Sequence, residues 1–342
     1  MYKKLLITGA NGWLGRGLSS SLVNKQIGHL WIKKLKGIPI KAMVLPEDAK
    51  IFKANFSEIE MVIGDLRNPL DCENFVKGES GACLIHIAGI IHPKRFVREF
   101  YELNVEASKN LLDASIKHAL KRAVIMSSNS PIGCNRTVRD RFDESSPYNP
   151  YMHYGRSKML LEQYISQISS QIETVIIRAP WFYGPFQPRR QIDFFEMIRK
   201  GKGPVVGNGN NVRSMAYIDN LIQGILLSAI EQRAAGHTFW IADKHPYTMN
   251  QVINTIEYLL AEEFNQDCNF GRLKLPNLFS EVAYFSDKLI QGMGLYHQKI
   301  HVLSELNKNI ACDIDKARAL LGYAPLIDLE EGMRRSLKEL YL

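Results

Sequence analysis

A glycine-rich turn close to the start of the chain constrains its fold more than any other feature. Leu5–Thr8 is a short apolar run, and it leads directly into Gly9, Gly12 and Gly15 before a helical stretch. In this setting Gly9 permits a tight turn, Gly12 admits a phosphate close to the backbone, and Gly15 lets the helix pack on the strand. The turn therefore predicts a bound dinucleotide, with its pyrophosphate at the positive end of the helix.

The first half of the chain alternates short apolar runs with longer amphipathic ones. This pattern is typical of a parallel sheet that helices cover on both faces. Six runs predict strands: Leu5–Thr8, Lys41–Leu45, Met61–Ile63, Ala82–His86, Ala123–Ser127 and Thr174–Arg178. Helices are predicted at Asn104–His118 and Tyr154–Ser169. The predicted fold class is α/β, with a doubly wound parallel sheet of the Rossmann type.

The second half of the chain has a different character. Proline and glycine cluster in it, and its predicted segments are helices at Asp219–Ile230 and Thr248–Phe264 and a less regular region at 269–309. We expect a dinucleotide-binding domain at 1–178, with returning segments near 212–242. A smaller, interleaved α/β substrate domain would occupy most of 179–342.

Composition narrows the partners. The net charge is +8, which could indicate nucleic acid or an anionic membrane, but the basic clusters are short, so we expect neither partner. Dispersed basic side chains would also suit a phosphorylated cofactor or substrate. Five isolated cysteines without a CxxC pair predict free thiols and no metal site. The N-terminal apolar run is too short for a signal peptide, so we expect a cytoplasmic protein.

The sequence leaves NAD and NADP open, with a slight preference for NAD. An extra basic stretch at 27–37 delays the second strand, and neither an acidic residue nor an arginine stands at the tip of that strand. Glu47 or Asp48 would suit the ribose hydroxyls of NAD. Lys41, or a lysine of the 27–37 stretch, would suit the phosphate of NADP.

Residues at the carboxyl ends of two later strands also suit a ligand, because ligands of doubly wound sheets collect at that edge. Asp65 and Leu66 follow the third strand, where they can cover an adenine; a helix N-cap is the alternative role for Asp65. Ser128 follows the fifth strand, where its hydroxyl can hydrogen-bond a reacting oxygen. A simple turn residue is the alternative for Ser128.

Tyr154 and Lys158 are four residues apart at the start of a predicted helix, so they lie on one face, one turn apart. A phenol has an ordinary pKa of about 10, and a nearby ammonium group is expected to lower that pKa. Such a tyrosine can exchange a proton with an alcohol or a carbonyl near neutral pH. The spacing alone is a common accident, but its combination with Ser128 and the glycine-rich turn is specific.

Over nearly its whole length the chain resembles the extended short-chain dehydrogenase/reductase superfamily, and within it the epimerase/dehydratase group. The resemblance is carried by TGANGWLG at 8–15, GDL at 64–66, HIAG at 86–89, LNVEASKNLLDA at 103–114, SSNSPIG at 127–133, YGRSK at 154–158, RAPWFYGP at 178–185, GNGNNVRSMAYIDN at 207–220 and CDIDKARALLGYAP at 312–325. It implies a catalytic triad of Ser128, Tyr154 and Lys158, with Asn104 in support. It also implies a homodimer formed through the helices that match 104–118 and 154–169.

Sequence position and this resemblance together assign the remaining site residues. The cofactor side would comprise Gly9, Asn11, Gly12, Trp13, Leu14, Gly15, Asp65, Leu66, Ala88, Gly89, Tyr154, Lys158, Ala179 and Trp181. The substrate side would comprise His92, Asn129, Ser130 and Arg213, with Arg213 gripping a substrate phosphate. A surface position is the alternative for His92, and plain packing is the alternative for Trp181.

Three functions follow as hypotheses. The first is epimerisation of a nucleotide-linked sugar through a transient ketone, since Gly207–Gly209 and Arg213 resemble sugar-nucleotide epimerases. Dehydration is disfavoured, because Asn129 and Ser130 stand where related dehydratases carry an acidic pair. The second is net oxidation or reduction of a hydrophobic alcohol or ketone, since 275–304 resembles 3β-hydroxysteroid dehydrogenases and dihydroflavonol reductases. The third is dinucleotide sensing without turnover, which the presence of both Tyr154 and Lys158 disfavours.

Overall fold

The computed structural model describes residues 2–24, 35 and 37–341 of the 342-residue chain. Most of the basic 27–37 stretch, including its lysines, lies outside the described residues. The main sheet consists of β1 (Leu5–Thr8), β2 (Ile40–Val44), β3 (Glu60–Ile63), β4 (Cys83–His86), β5 (Arg122–Met126), β6 (Glu173–Arg178) and β11 (Thr238–Trp240). These strands are parallel and lie in the order β11-β6-β5-β4-β1-β2-β3. The predicted doubly wound sheet is therefore confirmed.

The central strands of this sheet are buried on both faces. Leu5 in β1 pairs with Ile40 on one side and with Cys83 on the other, and every residue of β1 and β4 is buried. Strands with two covered faces carry continuous apolar runs rather than alternating ones. This is why the sequence located the first six strands to within one residue at either end.

Helices cover both faces of the sheet and form much of the second half of the chain. They are α1 (Trp13–Asn24), α2 (Ala49–Asn55), α3 (Pro69–Val76), α4 (Arg98–Tyr101), α5 (Ala107–Lys117), α6 (Met152–Ile168), α7 (Arg189–Arg199), α8 (Ile218–Ile230), α9 (Met249–Tyr258), α10 (Asn277–Gly292), α11 (Gln298–Glu305), α12 (Asp315–Leu321) and α13 (Leu329–Tyr341). A π-helical turn, Glu102–Glu106, joins α4 to α5. The helix predicted at Asn104–His118 is thus present, but it begins earlier.

Among residues 2–24, 35 and 37–341, three short strand pairs lie outside the main sheet. They are β7 (Trp181–Tyr183) with β10 (Met215–Tyr217), β9 (Val212–Arg213) with β12 (Tyr247–Thr248), and β8 (Gly203–Val206) with β13 (Arg272–Leu275). β11 returns to the main sheet beside β6. The division into domains at 1–178 and 179–342 stays a prediction.

The expectation of a less regular region at 269–309 is wrong. This region contains β13, α10 and α11. The sequence pattern misleads because α10 buries polar Ser280, Asp287 and Gln291 while it exposes several large apolar side chains. A helix with that inverted arrangement does not show the usual apolar stripe toward a core. Among the described residues, no helix has the length and apolar character needed to cross a membrane.

The glycine-rich turn generates the first testable prediction. A Cβ atom on Gly15 would overlap the carbonyl oxygen of Gly9, whereas a Cβ atom on Gly292 would meet nothing within 4 Å. We expect Gly15→Ala to lower the free energy of unfolding by about 1–3 kcal/mol, because backbone must shift to relieve the overlap. Gly292→Ala is the matched control and should change stability by no more than about 1 kcal/mol. Urea unfolding measures both, and equal stabilities would contradict the packing described here.

Candidate active site

The turn between β1 and α1 has the geometry of a phosphate cradle. Gly9 adopts a left-handed φ of 74°, and a Cβ atom there would lie 2.7 Å from the backbone nitrogen of Ala88. The N–H of Gly12 donates to the carbonyl of Gly9 at 3.0 Å and closes the turn. A Cβ atom on Gly12 would meet only that carbonyl, so its other side is open. The side-chain oxygen of Asn11 is buried without a hydrogen-bond partner among the described residues. An open backbone and an unpaired polar atom at a helix N-terminus fit a dinucleotide pyrophosphate.

The other predicted cofactor residues of this end differ in what they can offer. The indole N–H of Trp13 donates to the carbonyl of Pro185 at 2.8 Å, and its ring packs on Phe182, so Trp13 fixes the segment after β7. The side chain of Leu14 is buried in the core, so only its backbone can reach a ligand. Asp65 pairs with Arg67, whose hydrogen bond holds the pKa of that carboxyl below its usual value.

Strand β4 ends in a region where backbone and side chains approach closely. A Cβ atom on Gly89 would lie 3.0 Å from the side-chain oxygen of Asn104 and 3.3 Å from Nζ of Lys158. His86, just before it, is held between the hydroxyls of Thr8 and Ser108 at 2.7 and 2.8 Å. Burial lowers the pKa of His86 to about 3, so this imidazole is neutral and supports the strands.

Ser128, Tyr154 and Lys158 converge at the carboxyl end of β5. The hydroxyl of Ser128 lies close enough to the phenol of Tyr154 to lower its pKa. Nζ of Lys158 donates to the carbonyl of Met126 at 3.0 Å. All three side chains are buried. The structure therefore brings together the serine, the tyrosine and the lysine that the sequence singled out.

Gly155 explains how α6 can approach the loop after β5 so closely. A Cβ atom at this position would overlap the carbonyl oxygen of Ser130. The N–H of Tyr151 donates to the same carbonyl at 2.9 Å. Any larger residue between Tyr154 and Lys158 at this site would push the tyrosine away from Ser128. The sequence analysis missed this role of Gly155.

Asn104 lies on the π-helical turn and supports the loop after β4. Its side-chain oxygen accepts from the N–H of Ile90 at 2.8 Å, and its amide donates to the carbonyl of Ile90 at 3.0 Å. The amide is also 3.1 Å from the hydroxyl of Ser157 on α6. π-Helical turns are frequent at functional sites because they redirect one side chain out of the regular helix. Here the turn directs a buried amide between two elements of the candidate site.

The prediction that Lys158 lowers the pKa of Tyr154 is wrong for this structure. Burial raises the pKa of Tyr154 to about 12, although the hydroxyl of Ser128 opposes the rise. Burial likewise lowers the pKa of Lys158 to about 8. Loss of solvation disfavours the charged form of each group, and it is the largest cause of both shifts. Tyr154 is consequently a protonated phenol at neutral pH.

A buried ion pair that the sequence analysis missed fixes α6 to the ends of β5 and β6. Nη2 of Arg178 lies 2.7 Å from a carboxylate oxygen of Glu162, and the two side chains are only 5% and 1% exposed. The hydroxyls of Ser127 and Tyr148 also donate to Glu162, at 2.5 and 3.0 Å. The signal was available, since Glu162 continues the Tyr154–Lys158 face by one more helical turn.

A polar wall of residues from distant segments lies next to Tyr154. Nδ1 of His92 lies 2.5 Å from the hydroxyl of Tyr296, and Tyr296 packs in one cluster with Tyr154. The ring of His301 lies 5.4 Å from that of Tyr296, and Nδ1 of His301 is 2.7 Å from a carboxylate oxygen of Asp287. His92 is therefore half-buried within the site rather than on the surface. The other three residues were missed, and no local sequence signal marks them.

Two further arginines lie near residues of this region. Arg213 is buried, and its Nη2 donates to the backbone carbonyl of Glu305 at 2.6 Å, while its Nε has no partner among the described residues. Arg190 is accessible to solvent but acts electrostatically on Tyr154 and His92. Within the part of the chain that the structure describes, no carboxylate forms an ion pair with either guanidinium.

The remaining predicted residues lie around this centre. Ser130 is buried, with its hydroxyl 3.4 Å from that of Ser128, and Asn129 is half-buried beside it. The carbonyl of Ala179 accepts from the N–H of Asn129 at 3.2 Å. Trp181 packs edge-on against Phe194, with ring centroids 5.7 Å apart. Leu66 accepts a hydrogen bond from Asn110 through its carbonyl, at 3.2 Å.

The fold and this arrangement define a class: an enzyme of the extended short-chain dehydrogenase/reductase type. Residues 5–242 match the model of the NAD dependent epimerase/dehydratase family. The chain belongs to that family.

Proteins similar to this chain in sequence or fold carry several different functional names. The chain is 48% identical over 335 residues to the uncharacterized protein y4nL of Sinorhizobium fredii, covering 97% of this chain and 93% of that protein. It is 27% identical over 360 residues to the 3beta-hydroxysteroid-dehydrogenase/decarboxylase isoform 1 of Arabidopsis thaliana, covering 97% and 78%. The structure of UDP-glucose 4-epimerase from Thermotoga maritima with UDP-glucose is similar in fold, with a TM-score of 0.74, 20% identity and 98% coverage of each chain.

The buried ion pair generates the second prediction. Glu162→Gln leaves the Arg178 guanidinium buried without a counter-charge, so we expect a loss of about 3–5 kcal/mol in the free energy of unfolding. The matched control is Asp193→Asn, which breaks the exposed pair between Arg189 and Asp193 and should cost no more than about 1 kcal/mol. Denaturant unfolding measures both variants. Equal effects would show that the buried pair does not hold α6 in place.

Proposed function

We propose that this protein is an NAD-dependent epimerase acting on a sugar that is linked to a nucleotide through a diphosphate. In this proposal Ser128, Tyr154 and Lys158 form the catalytic triad. A hydroxyl-bearing carbon of the sugar is oxidised transiently to a ketone. The ketone rotates within the site and is then reduced on its other face. The enzyme would act in the cytoplasm as a homodimer, with the substrate held mainly by residues of 179–342.

The observation that carries the proposal is two arginines without a carboxylate partner among the described residues: Arg190, which acts electrostatically on Tyr154, and Arg213, which bonds the carbonyl of Glu305. A buried guanidinium without a carboxylate partner is costly, and a bound anion would provide the missing charge. Arginine is also the side chain best suited to bind phosphate oxygens in pairs. Arg213, with its unpaired Nε, and Arg190, which is open to solvent, together favour a diphosphate-bearing substrate. The polar wall of His92, Tyr296 and His301 further suits a sugar better than a sterol.

Each member of the triad has a separate task. The cofactor, held by the glycine-rich turn together with Asn11 and Gly89, would supply hydride transfer. Tyr154 exchanges its phenolic proton with the substrate oxygen, which Ser128 orients by its hydroxyl. Because the phenol is protonated at neutral pH, it is ready to donate to a ketone oxygen. For Tyr154 to act as the base its pKa must fall, and the guanidinium of Arg190 already acts in that direction.

Several observations support NAD over NADP. Lys41, a candidate for binding the extra phosphate of NADP, is buried and held by Glu79 at 3.0 Å. Its charge is therefore already paired. Glu47 and Asp48 form a short 3₁₀ turn directly after β2, where carboxylates suit the ribose hydroxyls of NAD. We therefore propose that Glu47 and Asp48 bind the ribose hydroxyls at the adenosine end of NAD.

A second candidate function has its own support. The Arabidopsis relative is a 3beta-hydroxysteroid-dehydrogenase/decarboxylase and aligns with nearly all of this chain. Under this reading the protein would oxidise or reduce a hydrophobic alcohol or ketone with net consumption of cofactor. The acid–base requirements at Tyr154 are the same, but Arg190 and Arg213 would have no assigned partner.

One experiment separates the candidates. The purified protein is denatured and the released dinucleotide is identified by mass spectrometry; a tightly held NAD is expected for an epimerase. The protein is then incubated with a panel of nucleotide sugars, and products are followed by NMR. Formation of an epimer without net change in cofactor supports the proposal. The absence of any epimer or ketone from the whole panel, together with stoichiometric reduction of added NAD by a sterol, would overturn it.

The triad assignment is the third prediction. Tyr154→Phe removes the proton but preserves the packing, so we expect turnover to fall by roughly 10²–10⁴-fold while dinucleotide binding stays unchanged. Lys158→Ala should weaken both turnover and dinucleotide binding. Tyr164→Phe is the matched control, because it makes the same change on the same helix at a phenol bonded to Asp113. Normal turnover of both site variants would show that the triad is wrongly assigned. Wild-type protein that binds dinucleotide but turns over no substrate would favour a sensor.

A further inference from the structure

Helix α10 carries an unusual outer surface. Six large apolar side chains along it expose more than half of their area to solvent: Leu278 68%, Phe279 51%, Val282 56%, Phe285 66%, Leu289 67% and Met293 62%. We call these six residues the outer stripe. Four of them, spaced by four, three and four residues, fall within an arc of about 60° on the helix. Contiguous exposed apolar patches of this kind mark binding surfaces in soluble proteins.

The inner face of the same helix is largely polar and makes several hydrogen bonds. Ser280, Asp287 and Gln291 are buried, and Asp287 and Gln291 both contact His301 on α11. The position of α10 is thus fixed by polar contacts on its inner side. The outer stripe is therefore not a misplaced core face but a surface held toward solvent.

Basic side chains lie on α10 and on the segments next to it. Lys274 precedes α10, Lys288 lies on it, and Lys299 lies on α11. Lys94 and Arg95 lie near its other end, because the N–H of Tyr296 donates to the carbonyl of Arg95 at 2.8 Å. All five are exposed, and within the described ranges none is ion-paired with a carboxylate. The two acidic groups of α10 already have partners, Lys308 for Glu281 and Nδ1 of His301 for Asp287.

We propose that the outer stripe docks this protein onto an anionic lipid surface. An apolar helix face bordered by lysine and arginine is the composition that places a helix in the plane of a membrane interface. A second copy of the chain fits less well, because stacking two outer stripes would bring their basic borders together. The expectation of no membrane partner rested on the short basic clusters of the sequence. Folding gathers basic residues that are distant in the chain around one helix.

Docking would also orient the candidate active site. His301, which the inner face of α10 holds, lies beside Tyr296, and Tyr296 packs with Tyr154. Only the width of α10 would therefore separate the polar wall of the site from the lipid headgroups. The docking proposal itself does not depend on the proposed function, since it concerns only the outer stripe and its border.

Co-sedimentation with vesicles tests the proposal. Full-length protein is mixed with vesicles of phosphatidylcholine alone, or with vesicles that contain about one-third phosphatidylglycerol. We expect the protein to pellet with the anionic vesicles. Phe285→Ser with Leu289→Ser should reduce the bound fraction at least about tenfold. Lys274→Glu with Lys288→Glu should weaken binding to anionic vesicles, as should high salt.

The control removes exposed apolar side chains elsewhere. Leu70→Ser with Leu326→Ser changes residues that are 70% and 61% exposed and should bind vesicles like the wild type. Circular dichroism and thermal unfolding establish that each variant is folded. Wild-type protein that stays in the supernatant with anionic vesicles, or a stripe variant that pellets normally, would overturn the proposal. A sedimentation mass that falls in the stripe variant, without any vesicle binding by the wild type, would assign the stripe to a second copy instead.

Discussion

The candidate site depends on the buried ion pair between Glu162 and Arg178. Glu162 lies on the face of α6 that carries Tyr154 and Lys158, and Arg178 ends β6. Through Ser127 the same carboxylate reaches the strand end that carries Ser128. One carboxylate therefore ties the helix of the tyrosine to the strand of the serine. A pair with both partners hidden from water tolerates little displacement, since any separation leaves charge without compensation.

Polar groups around this pair serve a common purpose, which is to hold backbone segments at short range. Asn104 binds both backbone groups of Ile90, and Gly155 admits the carbonyl of Ser130 against α6. Neither residue needs to contact a substrate to affect its reaction. Fixing the reacting groups before the substrate arrives removes reorganisation from the reaction itself. The rigidity of the sheet side contrasts with the polar wall, which is built from segments far apart in sequence.

Much of the sheet side could be predicted from the sequence, because its signals are local. Doubly covered strands show continuous apolar runs, and the spacing of Tyr154 and Lys158 follows helical geometry. Glu162 obeys the same periodicity and could have been included. The pKa of Tyr154 could not, because its direction depends on burial, which only the folded chain reveals. The site positions of Tyr296, His301 and Asp287 could not be predicted either. Helix α10 inverts the usual apolar pattern, and the contacts of these residues join distant segments.

The return of β11 to the edge of the main sheet affects how the molecule is assembled. β6 ends at Arg178, and its outer neighbour begins only at Thr238, after four short strands, α7 and α8 have been made. Until then, β6 presents an open row of backbone donors and acceptors. The entropy of closing this long loop is lost before the contacts between β6 and β11 can form. The sheet is therefore completed late and slowly. On the ribosome, the nascent first half would therefore be the species most exposed to aggregation and most dependent on chaperones.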